Sequence, residues 1–179
     1  MKKLTIGLCL AAAFSSGAMA QTCKPESITP TQPAGQFLDN GDGTVTDIVN
    51  GLMWTKCSLG QIYKNGICTG TPSHVETWQV ALVTAEDWKQ YANSTGWRLP
   101  NIKELGSLVE RSCVAPAINL SVFPSTPSAA YWSNTFDSKN VNPTQGIEGR
   151  IVDFTDGTEF LTDVNRHRLI RLVRDLNGS

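Results

Sequence analysis

The apolar positions after residue 36 predict short strands that fold back on one another. Residues 37–38 run into the glycine-rich stretch 40–43, and residues 44–47 then alternate as a strand does. A tight turn between two such runs is typical of a β-hairpin. A second turn signal, Asn50-Gly51, precedes the apolar run 52–54. We therefore expect antiparallel strands in this part of the chain.

The middle of the chain changes to the period of a helix. Across residues 76–93, apolar side chains recur every three or four positions, which predicts an amphipathic helix that Gly96 would end. These side chains are Trp78, Ala81, Leu82, Ala85, Trp88 and Ala92. A second helix is expected over residues 102–111, with Asn101 as its N-cap and Glu104 as the capping-box partner.

The last third of the chain returns to strands. Residues 130–133, 147–154 and 168–174 are rich in β-prone side chains, with Pro, Asn, Asp and Gly between them. Strands first, two helices in the middle and strands at the end predict an α+β domain whose helices pack on an antiparallel sheet. The regular alternation of strand and helix that a doubly wound parallel fold needs is missing.

The first twenty residues have the features of a secretory signal. Lys2 and Lys3 give a basic start, residues 6–14 are apolar, and a small-residue motif ends at Ala20. We expect cleavage between Ala20 and Gln21, which places the mature protein in the periplasm, at the cell surface or outside the cell. The apolar run is shorter than the roughly 20 residues that span a bilayer, and no later stretch of the sequence is apolar for that long, so we expect no membrane span after signal removal.

Residues 21–35 are rich in Pro, Ser, Thr and Gln, which predicts an extended N-terminal segment ahead of a domain at 36–179. The whole chain has 15 Lys and Arg against 16 Asp and Glu, a net charge of −1. Removing the two lysines of the signal makes the mature chain more acidic. Because no basic field remains, we do not expect nucleic acid as a partner.

Four cysteines lie in the mature chain, and an even number in an exported protein favours two disulfides. Cys57 and Cys68 flank a short excursion with an Asn-Gly turn signal at 65–66, so a bridge between them would close a hairpin. That leaves Cys23 with Cys113, although four cysteines allow three pairings. Zinc is disfavoured because the spacings lack the paired C-x2-C motifs of zinc sites.

The sequence shows no clear metal or catalytic motif. The acidic run 39–47 resembles a calcium loop but fails its register, because glycines fall on ligand positions and the final glutamate is missing. A tight hairpin turn is favoured there, and a calcium site of another kind stays open. His74 and His167 match no metal spacing, and no G-x-S-x-G motif is present. We therefore expect no metal, no cofactor and no enzymatic activity.

The densest basic cluster lies near the C-terminus, at residues 166–174. On a strand, Arg166, Arg168 and Arg174 would share one face. Arg171 would point to the other face, where it would be buried against a carboxylate. A solvated strand edge is the interpretation we favour for the cluster. The alternative is a binding patch for an anionic ligand, since arginine recognises sulfate and carboxylate groups through paired hydrogen bonds.

The chain contains 5 tryptophans, which is many for a domain of this size. Trp78 and Trp88 lie on the apolar face of the first predicted helix and are assigned to the core. Tyr131 and Trp132, followed by the polar Asn134, are candidates for a ligand-facing aromatic stack. Core packing is the favoured alternative for both of these rings.

Five short motifs run in order along the mature chain. They are FLDNGDGTVTD at 37–47, GLMW at 51–54, WRLPNIKEL at 97–105, YWSNT at 131–135 and RLVR at 171–174. The set resembles the Lcl C-terminal domain family, named for the C-terminal domain of the Legionella collagen-like adhesin. The resemblance implies a C-type-lectin-like α+β fold and, for the named adhesin, binding of sulfated glycosaminoglycans at a bacterial surface.

We therefore expect an exported, non-catalytic binding module that recognises a polysaccharide or another cell-surface component. Its ligand would meet the loops around residues 131–142 and the segment 166–174. The expected partner is an anionic polysaccharide or a surface protein. A structural or assembly subunit of an envelope or surface-appendage complex is the second hypothesis, and a secreted hydrolase is the third.

Overall fold

Antiparallel strands, with two helices between them, form most of the regular secondary structure of the described residues. The computed structural model describes residues 20–88, 91–142 and 146–176, with the backbone alone at 138–142. Residues 1–19 of the predicted signal lie outside the described part. The strands are β1 (Thr22–Cys23), β2 (Phe37–Asp39), β3 (Thr44–Asp47), β4 (Leu52–Thr55), β5 (Ile62–Lys64), β6 (Ile67–Thr69), β7 (Cys113–Val114), β8 (Ala130–Asn142), β9 (Gly146–Asp153), β10 (Thr158–Asp163) and β11 (Val173–Asp175). The helices are α1 (Trp78–Asp87) and α2 (Ile102–Gly106).

The first sheet confirms the predicted hairpin. Its strand order is β11, β4, β3, β2, and every neighbouring pair is antiparallel. β2 and β3 turn at the glycine-rich run, where Gly41 and Gly43 have φ values of 77° and 90°, a region that favours glycine. The C-terminal β11 adds to β4, so the beginning and the end of the domain meet in one sheet.

The second sheet contains the irregular strand β8. Its strand order is β10, β9, β8, again antiparallel, and β10 is a strand that the sequence pattern did not predict. Trp132 pairs with Ile151 and Phe136 pairs with Gly149, so β8 has extra residues between the two pairs and bulges there. Glycine is required at position 149, because a Cβ atom would lie 2.9 Å from Cζ3 of Trp132.

Helix α1 is shorter than the apolar period predicts. It begins after its N-cap Thr77 and ends at Asp87. Farther along, Nε1 of Trp97 donates to the carbonyl oxygens of Tyr91 and Ser94, and these bonds hold that stretch as a turn. The predicted extension of the helix is therefore wrong, because the Tyr91 N–H donates to the carbonyl oxygen of Ser94 and Ala92 and Asn93 have φ values of 49° and 56°, outside the helical region.

Helix α2 confirms the predicted capping box. Asn101 Oδ1 accepts a hydrogen bond from the Glu104 N–H at 2.9 Å, and Glu104 Oε2 accepts one from the Asn101 N–H at 2.7 Å. The helix ends at Gly106 and not at Arg111. Its end is fixed by Ser107, whose Oγ donates back to the carbonyl oxygen of Glu104.

Two disulfides close the domain, and they have the pairing that the cysteine positions favoured. Cys57–Cys68 closes the β5–β6 hairpin. Cys23–Cys113 joins β1 to β7 across a sequence separation of 90. In the chain-entropy model, a loop of that length stabilises a fold by about 4–5 kcal/mol.

The N-terminal segment is exposed but attached to the domain. Gln21 Nε2 donates to the carbonyl oxygens of Pro116 and Ile118 at 2.7 and 2.6 Å. Farther along, the Thr31 N–H donates to the Glu110 carboxylate at 3.1 Å. These bonds fix a segment that the sequence pattern predicts only as an extended lead-in.

Two apolar clusters fill the interior. The first lies between the sheets and α2 and includes the buried Trp54, Phe123 and Phe154. The second lies under α1 and includes Trp97 and Ile151. The chain is thus an α+β domain of mostly antiparallel sheets with two helices and two disulfides. Within the described ranges, no helix is both long enough and apolar enough to cross a membrane.

Candidate functional site

Tyr131 and Trp132 lie in the core and not at a surface. Both residues are 0% exposed. The Tyr131 hydroxyl is hydrogen-bonded to Ser58 Oγ at 2.5 Å, and burial raises the pKa of this tyrosine. The Trp132 ring lies against Gly149. The predicted ligand-facing stack is therefore wrong, and the favoured alternative of core packing is confirmed.

Arg171 is buried as predicted, but the partners that the structure describes are not carboxylates. The residue is 0% exposed. Its guanidinium donates to the carbonyl oxygens of Thr55 and Lys56 and to Thr126 Oγ1. The guanidinium carbon lies 4.8 Å from the centre of the Phe123 ring. Burial lowers the pKa of Arg171. This arginine therefore joins the end of β4 to a neighbouring loop and is out of reach of a ligand.

The other arginine candidates do not share one strand face. β11 begins only at Val173, so the segment before it is not a continuous strand. Arg166 is exposed in a bend, Arg168 lies in an isolated bridge, and Arg174 lies on β11 in the first sheet. The prediction of a shared face is wrong because the chain crosses here from one sheet to the other: Leu169 bridges to β8, whereas β11 pairs with β4.

Asn134 is exposed on the bulge of β8. Its backbone N–H donates to the carbonyl oxygen of Pro100 at 2.7 Å, and the Oγ1 of neighbouring Thr135 accepts from the Ile102 N–H at 3.0 Å. These bonds fasten the bulge to the start of α2. The six predicted ligand-binding residues therefore do not form one site, because two are buried and the other four are spread over the bulge, the bend and β11.

An exposed apolar surface beside the bulge is the better candidate site. Phe136 is 50% exposed and Ile147 is 48% exposed. The ring of Trp78 packs against Phe136, with the ring centroids 5.8 Å apart. We call the surface formed by Trp78, Phe136, Ile147 and Val164 the aromatic ledge. Contiguous exposed apolar surface of this kind marks interaction sites in many proteins.

A cavity of about 140 Å³ opens at the aromatic ledge. Its walls are Thr77, Trp78, Gln79, Ile147, Val164 and Asn165. The amides of Gln79 and Asn165 bring hydrogen-bonding groups next to apolar walls. Ligand sites commonly combine a mostly apolar lining with a few such polar groups.

Local structure fixes the ring of Trp78 at this place. Trp78 is the first residue of α1, and its backbone N–H donates to the carbonyl oxygen of Val164 at 2.8 Å. Its Nε1 donates to the carbonyl oxygen of Ser133, on the bulge, at 2.8 Å. Phe136 stands opposite Gly149, and a Cβ atom at that glycine would lie 3.5 Å from Cδ1 of Trp78. Because Gly149 has no side chain, Trp78 can approach the sheet.

Acidic side chains lie on the face of the second sheet opposite to the aromatic ledge. Asp137, Glu148 and Asp163 stand directly opposite one another on its three strands. Arg150 offsets part of this charge, since its guanidinium lies 2.8 Å from Glu159 and 3.8 Å from Asp137. The sheet therefore separates an acidic face from the apolar face that carries the ledge.

Arg168 places a positive charge on the ledge side of the sheet. Its Nη2 lies 3.5 Å from Thr162 Oγ1, and Thr162 stands opposite Gly149, on the same face as Phe136. Its Nη1 donates to the carbonyl oxygen of His167 at 2.9 Å. Of the predicted candidates, Arg168 is therefore the one that these contacts connect to the ledge face.

Sequence reasoning did not find the ledge. It assigned Trp78 to the core and did not single out Phe136 or Ile147. A signal was present, because each of the latter two is a large apolar residue between polar or glycine neighbours. Their proximity, however, follows from the pairing of β8 with β9, which the pattern of a single strand does not specify.

The acidic turn shows hydrogen bonding of its own. Asp39 Oδ1 accepts from the Gly41 N–H, and Asp42 Oδ1 accepts from the Thr44 N–H. Lys56 Nζ lies 2.7 Å from Asp39, and the hydrogen bonds from Lys56 and Gly41 lower the pKa of this aspartate. The carboxylates of Asp39 and Asp42 thus stabilise the hairpin turn, which is the interpretation that the sequence favoured. Over the described ranges, no group of three or more His, Cys, Asp or Glu side chains is placed to hold a metal ion.

The geometry defines a disulfide-linked α+β domain with an exposed apolar ledge. The family model of the Lcl C-terminal domain matches residues 43–174. The chain therefore belongs to the Lcl C-terminal domain family, as its five motifs indicated. Neither the comparison with curated proteins nor the comparison with solved structures found a match.

Proposed function

We propose that the chain is an exported, non-catalytic binding module that recognises a polysaccharide or another surface component through the aromatic ledge. The observation that carries this proposal is the half-exposed ring of Phe136 packed on the partly buried Trp78, beside a cavity that Gln79 and Asn165 line. Family membership and two disulfides support an adhesin-like role in the periplasm or at the cell surface. A C-type-lectin-like fold is part of the same proposal.

Ring stacking explains how the ledge would hold a sugar. One face of a pyranose ring carries C–H groups that pack on aromatic side chains, while its hydroxyl groups need hydrogen-bond partners. The amide of Gln79 offers donors and an acceptor for such hydroxyl groups, whereas Asn165, whose Nδ2 donates to Asp163 Oδ1 at 3.0 Å, keeps one N–H and its oxygen for them. Arg168, on the same side of the sheet, would engage a sulfate or carboxylate group.

Binding of the oxidised protein to a panel of neutral and sulfated polysaccharides tests the proposal. Ile147→Ala removes part of the ledge, and Ile67→Ala is the matched control, because Ile67 is 52% exposed on the disulfide-closed hairpin. We expect Ile147→Ala to weaken binding about fivefold to tenfold through lost apolar contact. The control should bind as the unmodified protein does. Binding to no polysaccharide would exclude a polysaccharide as the ligand, and an equal loss in both variants would overturn the role of the ledge.

The dependence of affinity on salt concentration separates the contribution of Arg168 from that of ring stacking. Contacts between Arg168 and an anionic sugar weaken as the ionic strength rises, whereas ring stacking does not. An Arg168→Gln variant should therefore lose affinity for sulfated chains and keep its affinity for neutral ones. An exposed arginine outside the ledge, Arg166, provides the matched control as Arg166→Gln.

The exposed ledge also favours a second candidate function, an assembly subunit whose partner covers the same surface. In that case the ledge would bury apolar area against a protein and not against a sugar. Analytical ultracentrifugation over a range of concentrations separates the two. Self-association that Ile147→Ala abolishes, together with no polysaccharide binding, would support assembly.

A further inference from the structure

We propose that Asn65 is a site of spontaneous deamidation, and that the folded protein directs this reaction to Asn65 among the Asn-Gly pairs that the structure describes. Three such pairs are described, at 40–41, 50–51 and 65–66. A fourth pair, at 177–178, lies outside the described residues. Sequence alone makes the three equivalent, but their surroundings differ.

The reaction needs a free asparagine amide and a free backbone nitrogen after it. The backbone nitrogen of Gly66 attacks Cγ of Asn65, a new N–Cγ bond forms, and the Cγ–Nδ2 bond breaks. Nδ2 leaves as ammonia and takes the proton from the glycine nitrogen. Water then opens the cyclic imide to aspartate or isoaspartate, so the balance is one water consumed and one ammonia released. Asparagine is among the residues that limit long-term stability in this way.

Hydrogen bonds protect Asn40 at both the leaving amide and the attacking backbone nitrogen. Its Nδ2 donates to Thr44 Oγ1 at 2.9 Å, and its Oδ1 accepts from Thr46 Oγ1 at 3.2 Å. The following nitrogen, that of Gly41, donates to Asp39 Oδ1 at 2.9 Å. Both the leaving group and the attacking nitrogen are therefore held in hydrogen bonds.

Asn50 is protected through Asp47. Its Nδ2 donates to Asp47 Oδ2 at 2.7 Å, and its backbone N–H donates to Asp47 Oδ1 at 3.1 Å. Asp47 is itself 0% exposed and also accepts from Gln36 Nε2. The Asn50 amide would have to leave a charged and buried acceptor before it could react.

Asn65 has no such protection among the described contacts. It is exposed at the tip of the β5–β6 hairpin, where Lys64 pairs with Ile67 and leaves a two-residue turn. No hydrogen bond joins its side chain, or the N–H of Gly66, to any residue that the structure describes. An added Cβ would meet no atom within 4 Å at Gly66, and the same holds at Gly41 and Gly51, so the three sites differ in their hydrogen bonds and not in space.

The product should stay folded and accumulate as a charge variant. The hairpin is closed at its base by Cys57–Cys68, and its inward-facing Tyr63 contacts Lys56. Its tip makes no contribution to the two apolar clusters. A new carboxylate beside Lys64 would therefore add negative charge to an exposed tip without disturbing the core.

Peptide mapping by mass spectrometry tests the proposal on the oxidised, folded protein. After incubation at mildly alkaline pH, we expect a mass increase of about 1 Da on the peptide with Asn65. The reaction at Asn40 and Asn50 should be at least about tenfold slower, because hydrogen bonds must break first. In the reduced, denatured chain the three rates should agree within about a factor of two, since the protection is lost.

The variants keep the test decisive. Among the three described sites, Asn65→Gln should remove the fast reaction and leave the slower rates at Asn40 and Asn50 unchanged. Comparable rates at the three sites in the folded protein, or a persistent spread of rates in the denatured chain, would overturn the proposal. Either result would show that the fold does not direct the reaction.

Discussion

The two halves of β8 use similar side chains in opposite ways. Before the bulge, Tyr131 and Trp132 are 0% exposed, whereas Phe136, after the bulge, is 50% exposed. Both halves pair with β9, so strand pairing does not decide which half is buried. The first half is covered by α1 and by the segment around Leu169, whereas Trp78 is the aromatic partner of the second half.

The bulge makes this division possible. Ser133 Oγ donates to the carbonyl oxygen of Arg150 at 2.7 Å and accepts from the Thr135 N–H at 3.2 Å. Polar groups that the broken pairing leaves unpaired are thereby satisfied. The comparison teaches that the buried half fixes the position of β8, which leaves the exposed half free to form the aromatic ledge.

Trp132→Ala and Phe136→Ala test this comparison with the largest expected effect. Trp132→Ala empties a large volume in the core, and we expect it to lower the free energy of unfolding by about 3–5 kcal/mol. Phe136→Ala removes a half-exposed ring, and we expect a loss below about 1 kcal/mol. Urea unfolding followed by circular dichroism measures both. Equal losses would mean that the ledge belongs to the core.

Arg171→Ala extends the test to a buried cation. The change leaves the carbonyl oxygens of Thr55 and Lys56 without their donor, and we expect a loss of about 3 kcal/mol. Arg166→Ala removes an exposed arginine and should change the free energy of unfolding by less than about 0.5 kcal/mol. The same urea titration compares them. A loss in Arg171→Ala no larger than that of the control would contradict a structural role.

Gly149→Ala tests the contact that lies under both halves of β8. The new Cβ would lie 2.9 Å from Cζ3 of Trp132, so we expect overpacking to cost about 2 kcal/mol. Gly106→Ala is the control, because nothing lies within 4 Å of its Cβ position at the end of α2. It should be neutral or stabilise by up to about 1 kcal/mol. Thermal unfolding that moves in the same direction for both would argue against close approach at Gly149.

Glu110→Gln compares a buried carboxylate with an exposed one, and it has the smallest expected effect on the free energy of unfolding. Glu110 is 5% exposed; burial alone would raise its pKa, but hydrogen bonds from Ser112, Thr31 and Gln32 outweigh burial and lower the pKa. A lowered pKa stabilises the fold above the ordinary value of about 4.3, and this stabilisation is lost as the pH falls through the lowered value.

We therefore expect Glu110→Gln to lose about 1 kcal/mol at neutral pH and progressively less as the pH falls below about 4. Glu159→Gln, at an exposed ion pair with Arg150, should change stability by less than about 0.5 kcal/mol. Unfolding measured at several pH values gives the comparison. A loss in Glu110→Gln that stays constant with pH would show that its ionisation does not matter.

Much of the fold could be predicted because its signals are local. The capping box of Asn101 and Glu104, the glycine-rich hairpin and the Cys57–Cys68 hairpin each depend on residues close together in the chain. The early end of α1 could not be predicted in this way, because the turn around Tyr91 depends on the buried Trp97. The predicted exposure of Tyr131 and Trp132 was wrong for a related reason, since the pattern of a strand does not show whether a helix covers it.

The sequence by itself determined where the chain turns, where α2 is capped and to which family the domain belongs, and it favoured one of three cysteine pairings, which the structure then confirmed. These features follow from hydrogen bonds, turn chemistry and motifs that act over short distances along the chain or keep a fixed order. Only the tertiary structure decided that Tyr131, Trp132 and Arg171 are buried while Phe136 and Ile147 are exposed. Burial depends on which distant segments pack against a residue, and here a bulge and a crossing between two sheets made that choice.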